Sequence, residues 1–199
     1  MKEFTTKGDN ERWVDLGLSV LWAAYNVGAS SPEEYGGYYA WGETSTKSDY
    51  TCENYIYYEE CYNGDYWYWV GKFIGNKISG TSYDVAHVQW GGGARMPTLA
   101  EVEELVDNCT FTGGSYNGVE GSYVTGPNGN SIFLPFAGYR NNGDLYDEGN
   151  DGSFWSGTYY DRDGYNGYYA FGLNCNEVNG NWRYYDREYG RSVRPVTEK

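Results

Sequence analysis

Arg95-Met96-Pro97-Thr98-Leu99-Ala100-Glu101-Val102-Glu103-Glu104-Leu105-Val106-Asp107-Asn108-Cys109 decides how the rest of the chain is read. Thr98 stands where a helix N-cap belongs, and Glu101, three residues on, completes a capping box in which each side chain bonds the other's backbone N–H. Leu99, Val102, Leu105, Val106 and Cys109 recur at helical spacing and form one apolar stripe. The stretch predicts an amphipathic helix laid on a sheet. It is the one convincing helical stretch, so the segments on either side read as strands, turns and loops.

Toward the N-terminus, Trp13-Val14-Asp15-Leu16-Gly17-Leu18 and Val20-Leu21-Trp22-Ala23-Ala24 have the pattern of a first hairpin. Residues 1–12 are polar and expected to be flexible, so the domain is taken as 13–199. Ser31-Pro32-Glu33-Glu34-Tyr35-Gly36 carries a cap, a Pro at the first helical position and a Gly at the end, which predicts a single helical turn. Tyr38-Tyr39-Ala40-Trp41 predicts a return to strand. From Thr44 to Tyr83 the period is lost among Tyr, Gly, Asn and acids, predicting a long excursion with little regular structure.

Toward the C-terminus, Ser122-Tyr123-Val124-Thr125 and Ser131-Ile132-Phe133-Leu134 flank the turn residues Pro127-Asn128-Gly129-Asn130, a second hairpin. Strand character returns at Tyr168–Leu173 and Ser192–Val196. Alternation in the former places Tyr169, Phe171 and Leu173 toward the core and Tyr168, Ala170 and Gly172 outward. The order strands, helix, strands predicts an α+β domain of small antiparallel sheets, one or two helices and long irregular loops.

Nothing in the 199 residues has the composition of a linker, so one core is expected. Aromatic residues, 24 Tyr and 8 Trp among them, must supply much of that core, because a mean hydropathy of −0.74 leaves few aliphatic side chains to do so. The net charge of −14, spread along the chain, repels phosphate backbones and excludes nucleic acid as an expected partner. No run approaches the ~20 apolar residues of a membrane-spanning helix, and no apolar leader follows Met1, so the chain reads as cytoplasmic or as secreted and lacking its leader here. Cys52, Cys61, Cys109 and Cys175 lack metal-site spacing and allow up to two disulfides; Cys52–Cys61, within one loop, is the better pair. A lone His87 excludes a multi-histidine metal site.

Several phrases, in combination and order, resemble one bacterial family: Val14-Asp15-Leu16-Gly17-Leu18, Leu21-Trp22-Ala23, Tyr39-Ala40-Trp41-Gly42-Glu43-Thr44, Arg95-Met96-Pro97-Thr98, Asn130-Ser131-Ile132-Phe133-Leu134-Pro135, Phe154-Trp155-Ser156 and Gly190-Arg191-Ser192-Val193-Arg194-Pro195-Val196. Together they resemble the Fibrobacter-type major paralogous domain of bacterial, notably Bacteroidetes, surface proteins. That family is in turn similar to formylglycine-generating-enzyme-like domains of the C-type lectin fold, which also carry the variable proteins of diversity-generating retroelements. The resemblance implies a C-type lectin-like scaffold, an extracellular or cell-surface location and a ligand-binding face in the C-terminal third, adhesive in role, rewritten by adenine-directed mutagenesis. It does not imply the enzymatic activity, because Cys109 and Cys175 do not match the reactive cysteine motif. The calcium-dependent sugar motifs of C-type lectins are likewise missing.

Residues 139–190 suit such a face: 10 Tyr, 8 Asn and 6 Asp fall in 52 positions. Tyr offers a large rigid contact at low entropic cost and Asn an adaptable hydrogen bond, the mixture used by antibody paratopes. Trp155, Phe171, Trp182 and Arg187 read as scaffold interruptions. The expected ligand-binding residues are Asn141, Asn142, Asp144 and Tyr146; Tyr159, Tyr160, Asp161, Asp163, Tyr165 and Asn166; and Asn181, Tyr184, Tyr185, Asp186 and Tyr189, the last group projecting from a loop before the final strand. Asn141 to Asp151 offers oxygen ligands without the spacing of an EF-hand, so no cofactor is expected, calcium being the alternative. No catalytic constellation is found: Gly-x-Ser-x-Gly is missing, and His87 reads as a structural hydrogen-bonder. The expectation is a non-enzymatic binder of a protein or glycan receptor, diversified by a retroelement; the alternative is a fixed-ligand surface domain that binds polysaccharide or serves as a structural or adhesion module.

Overall fold

The structure, a computed structural model, describes residues 12–161 and 167–199. In chain order its elements are β1 (Trp13–Asp15), β2 (Leu21–Ala23), β3 (Tyr58–Tyr62), β4 (Trp67–Gly71), α1 (Val85–Trp90), α2 (Leu99–Asn108), β5 (Thr110–Tyr116) and β6 (Val119–Thr125). They continue with β7 (Ser131–Pro135), β8 (Tyr139–Asn141), β9 (Asp144–Tyr146), β10 (Gly152–Tyr159), β11 (Tyr169–Cys175), β12 (Gly180–Asp186) and β13 (Val196–Thr197). The sheets are β1-β2-β13, β5-β6-β7 and β10-β11-β12, with two-stranded hairpins β3-β4 and β8-β9. Every strand pair is antiparallel. Small antiparallel sheets with two helices make this an α+β protein.

The capping box forms as expected. Thr98 Oγ accepts from Glu101 N, and Glu101 Oε2 accepts from Thr98 N at 2.8 Å. Val102 and Leu105 are buried, with Val106 and Cys109 packed at the margin. They join Leu16, Trp22, Phe154, Leu173 and Val196 in one core, which seats α2 on the β10-β11-β12 sheet and reaches the sheet of the chain ends. The first hairpin and the β6–β7 hairpin fall where the sequence places them; of the strand expected at Ser192–Val196 only Val196 lies in β13, which pairs with β2, while Ser192 makes an isolated bridge to Phe154.

Other expectations are corrected. The Ser31–Gly36 segment makes one hydrogen-bonded turn and no helix, because the Glu34 carboxylate turns back to Ser30 N (2.6 Å) and Gly36 takes a φ of +72°. Tyr38–Trp41 is no strand; it bridges Arg191 at Tyr39 alone, and consecutive side chains enter two different cores. The segment is pinned instead through indoles: Trp155 Nε1 donates to Tyr39 O (2.7 Å) and Trp41 Nε1 to Ser156 O (2.9 Å). The Thr44–Tyr83 excursion contains the β3–β4 hairpin, turned by Asn63, whose Oδ1 accepts from the backbone N–H groups of Asp65 and Tyr66. A second helix, α1, starts at Asp84, and its His87 is exposed instead of serving as a structural hydrogen-bonder. Arg12, expected to be frayed, bonds Tyr25 Oη at 3.2 Å and lies over Trp90; the rest of the expected flexible segment is outside the described residues.

All four cysteines are free, so the expected Cys52–Cys61 disulfide is not formed. Cys52 Sγ instead faces Glu188 Oε1 at 3.6 Å, while Cys61 is paired in β3 opposite Tyr68. No helix of the described residues is long and apolar enough to cross a membrane.

Candidate functional site

Two buried arginines in the C-terminal segment, Arg187 and Arg191, support the surface above them. Arg187 donates to Tyr55 Oη (3.0 Å), Gly167 O (2.8 Å) and Lys72 O (3.1 Å) and packs on Trp41. Arg191 bonds Ser153 Oγ and lies between rings, 3.5 Å from the centroid of Tyr185 and 4.8 Å from that of Tyr139. Rings and carbonyls replace the carboxylates that usually accompany buried cations.

Register orders the β10-β11-β12 sheet. Phe154, Leu173 and Trp182 oppose one another across the three strands, and Phe171 opposes Tyr184, so these side chains share a face. The opposite face carries Trp155, Ala170 and Tyr185 and packs into the second core. The phase expected for β11 is therefore wrong over its first half: Ala170 is fully buried and Tyr169 and Phe171 are only half-buried. Gly172 is inside because it must be small; a Cβ there would lie 2.5 Å from Phe154 O.

Leu173 and Cys175 are covered by the α2 core, but the other end of that face is open. There Tyr160 and Tyr184 stack in parallel with centroids 4.3 Å apart, Tyr160 meets Phe171 edge-on at 5.0 Å, Phe171 meets Trp182 at 5.8 Å and Tyr169 meets Tyr184 at 5.3 Å. Trp182 and Tyr184 are 47% and 44% exposed, too open for scaffold side chains. Trp182, expected as scaffold, is thus on the surface, as are its β12 neighbours Asn181 and Arg183. The strand phase that carries Tyr184 was the available signal for Trp182.

The remaining expected residues divide. Asn141, Asn142 and Asp144 form the tip of the β8–β9 hairpin, an ordered two-residue turn in which Asn142 and Gly143 both take positive φ (48° and 79°). Tyr146 stacks on Tyr139 at 5.4 Å and Tyr139 on Tyr189 at 5.6 Å, a second aromatic group over Arg191. Asp161 is exposed, while Tyr159 is half-buried against Trp41 and Phe73. Tyr185 and Asp186 do not project from a loop. They end β12, Tyr185 turned inward against Trp155 and Arg191 by strand alternation, and Asp186 half-buried. Asp163, Tyr165 and Asn166 lie outside the described residues.

Half-buried Asp186 and buried Glu188 are two carboxyls close in sequence. Burial raises Glu188 above the usual carboxylate range, Tyr58 Oη donating to its Oε2 at 2.8 Å works against this, and Asp186 adds to the rise; burial also raises Asp186, opposed by Arg191. Burial, reinforced by Glu188, pushes the Cys52 thiol up to about 12, which keeps it protonated at neutral pH. A carboxyl raised in the folded state gives its full contribution below its unfolded value of roughly 4.3 and loses it as pH rises toward the folded value. Glu188→Gln, which keeps an acceptor for Tyr58, is therefore expected to melt about 3 °C above the parent at pH 8, roughly 1 kcal/mol for this size, with the gain gone at pH 4. Lower stability of the variant at pH 8 would mean that an ionised Glu188 is favoured where it stands.

A surface depression of about 290 Å³ lies elsewhere, lined by residues that include Glu43, Lys47, Asn54 and Tyr57. It takes in none of the expected binding residues, and its two charges already pair with each other at 2.9 Å. Among the described residues no group of three or more His, Cys, Asp or Glu side chains is gathered to hold a metal. Compared with protein-family models, curated proteins and solved structures, the chain gives no match.

Proposed function

We propose that the chain is a non-enzymatic ligand-binding domain whose recognition surface is the open end of the β10-β11-β12 face, taking a protein or glycan receptor at a cell surface. The observation that carries this reading is β12, the edge strand, whose Trp182 and Tyr184 on that face are exposed beside strands that are largely buried. Isolated exposed aromatics are ordinary, but a stacked group of them on a fixed scaffold supports the reading of a binding surface. In this reading the scaffold is C-type lectin-like, supported by the pairing of β13 with the first hairpin and by a helix that opens at Arg95-Met96-Pro97-Thr98. A diversified version of the reading, in which a retroelement rewrites surface codons, places the changes at Asn141, Asn142, Asp144, Tyr160, Asn181 and Tyr184 and leaves Trp155, Arg187 and Arg191 fixed.

Trp182→Ser with Tyr184→Ser tests the surface directly. Against an array of plant and bacterial oligosaccharides and against intact bacterial cells, the double variant is expected to bind roughly tenfold or more weakly than the parent. Its unfolding free energy is expected to fall by roughly 1–2 kcal/mol, the loss of the ring contacts to Tyr160 and Phe171, which leaves the variant folded. Equal binding by parent and variant would remove the β10-β11-β12 face from the reading. Sequencing the 3′ end of the gene across a natural population tests diversification: adenine-directed changes confined to the codons named above are expected, and an invariant 3′ end would leave a fixed-ligand surface domain.

A further inference from the structure

We propose that the β3–β4 hairpin is a second docking surface, distinct from the β10-β11-β12 face, and that its occupant is a cationic segment of a partner, rich in Arg or Lys. The hairpin is firmly held at its base. Tyr58 and Trp69 pack there, Tyr58 meets Tyr168 at 5.5 Å, and Tyr168 Oη bonds Trp69 O. Gly71 is pressed so closely on Gly167 that a Cβ would lie 2.1 Å from the Gly167 carbonyl, and Arg187 grips the adjoining Lys72 carbonyl. Beyond that anchored base, Tyr62, Tyr66 and Trp67 are 55%, 62% and 63% exposed. Tyr62 and Trp67, directly opposed in register, keep their rings 5.1 Å apart, and Tyr66 meets Tyr68 at 6.1 Å. A two-stranded hairpin that holds three large aromatics in water, on a rigid base, has the form of a contact surface.

Charge selects the occupant. Glu53, Glu59, Glu60 and Asp65 are exposed on this segment, and the one cation among residues 53–72, Lys72, is already ion-paired to Glu59 at 3.1 Å. A second copy of the hairpin would set carboxylates against carboxylates, and an anionic membrane would be repelled. Elsewhere the same chain shows how it treats cations: Arg187 lies over Trp41 at 4.8 Å, Arg12 over Trp90 at 4.8 Å and Arg191 over Tyr185 at 3.5 Å. Among the described residues no cation lies over Tyr62, Tyr66, Trp67 or Tyr68. The hairpin therefore offers ring faces and nearby carboxylates, the two groups that together hold guanidinium and ammonium ions, with the cation to be supplied by a partner.

The test is titration of the full chain with an oligoarginine peptide, and with an oligoglutamate peptide of equal length, by calorimetry at low and at physiological salt. Oligoarginine is expected to bind and oligoglutamate not to, the affinity falling as salt rises. Tyr62→Ser with Tyr66→Ser and Trp67→Ser leaves the net charge unchanged and is expected to weaken binding roughly tenfold. Glu59→Gln with Glu60→Gln and Asp65→Asn is expected to weaken it and flatten the salt dependence, while Trp182→Ser with Tyr184→Ser binds as the parent does. Undiminished binding by the aromatic triple variant would reduce the effect to diffuse attraction by an acidic protein and overturn the inference. So would a concentration-dependent dimer abolished by that variant, or a preference for neutral cellohexaose over oligoarginine. Loss of oligoarginine binding in the β12 double variant alone would move the cation to the other face, overturning this inference while leaving the proposed function intact.

Discussion

Asp84→Ala is expected to remove about 4–6 kcal/mol of stability, more than any exposed substitution in the molecule, because one fully buried carboxylate accepts four backbone hydrogen bonds. Its Oδ1 takes Ala86 N (2.9 Å) and His87 N (3.3 Å), capping α1, and its Oδ2 takes Gly80 N (2.8 Å) and Met96 N (2.7 Å), which ties the loop before α1 to the segment that leads into α2. Truncation leaves four donors facing a methyl group, and loss of the cap alone costs about 1 kcal/mol. For a chain of this length the expected fall in melting temperature is roughly 10–20 °C. Asp84→Asn separates the parts: its amide presents one oxygen, which can serve either the helix cap or the Gly80 and Met96 pair, so about half of the loss should remain. Thermal melts of the two variants decide it. If Asp84→Ala melts within a few degrees of the parent, the four donors have another acceptor, water included.

That residue also shows where the sequence was legible and where it was not. α2 could be read because ten residues give an apolar stripe time to repeat and because Thr98 and Glu101 mark its start. α1 spans six residues, less than two turns, so no period develops, and Asp84 was its only mark. The β6–β7 hairpin announced itself through Pro127-Asn128-Gly129-Asn130, whereas the β3–β4 turn at Asn63-Gly64-Asp65 sits in a run so rich in Tyr, Trp and acids that strand and loop look alike. In β11 the inference that aromatic residues face inward failed because the inner face needs small residues there. Ala170 and Gly172 leave room for Trp155 and Tyr185 from the neighbouring strands, and the larger Tyr169 and Phe171 go to the open side.

The candidate site was legible as composition and much less so as geometry. A Tyr-, Asn- and Asp-rich third of the chain drew attention to β12 and to the β8–β9 hairpin, but composition treats Tyr184 and Tyr185 alike. Strand alternation separates them, sending one to solvent and the other against Arg191, and that distinction required knowing that both lie within a strand and not in a loop. The cages around Arg187 and Arg191 are built by residues as far apart in sequence as Trp41 and Tyr139, so no local pattern encodes them.

Arg194→Met is the second large loss expected, about 3–5 kcal/mol, and it bears on the fold more than on the surface. The guanidinium is almost wholly buried and donates to three acceptors: Nε to Asn26 Oδ1 (2.8 Å), one terminal nitrogen to Ala23 O (3.1 Å) and the other to Phe133 O (2.9 Å). These lie just after β2, at its end and in β7, so one planar fork joins two sheets that share no strand. Burial pushes Arg194 down to about 9, which still leaves it protonated at neutral pH, and the three bonds are therefore charge-assisted. Methionine fills similar volume but leaves the three acceptors without a donor. Arg194→Lys keeps the charge yet has no fork, so it is expected to recover only a minor part of the loss, as planar multidentate sites do not accept an ammonium in place of a guanidinium. Urea unfolding of the parent and both variants, with the Trp182 and Tyr184 surface left intact, should rank them parent, Lys, Met. A lysine variant as stable as the parent would mean that charge alone, and not the fork, holds the closing segment to β2 and β7.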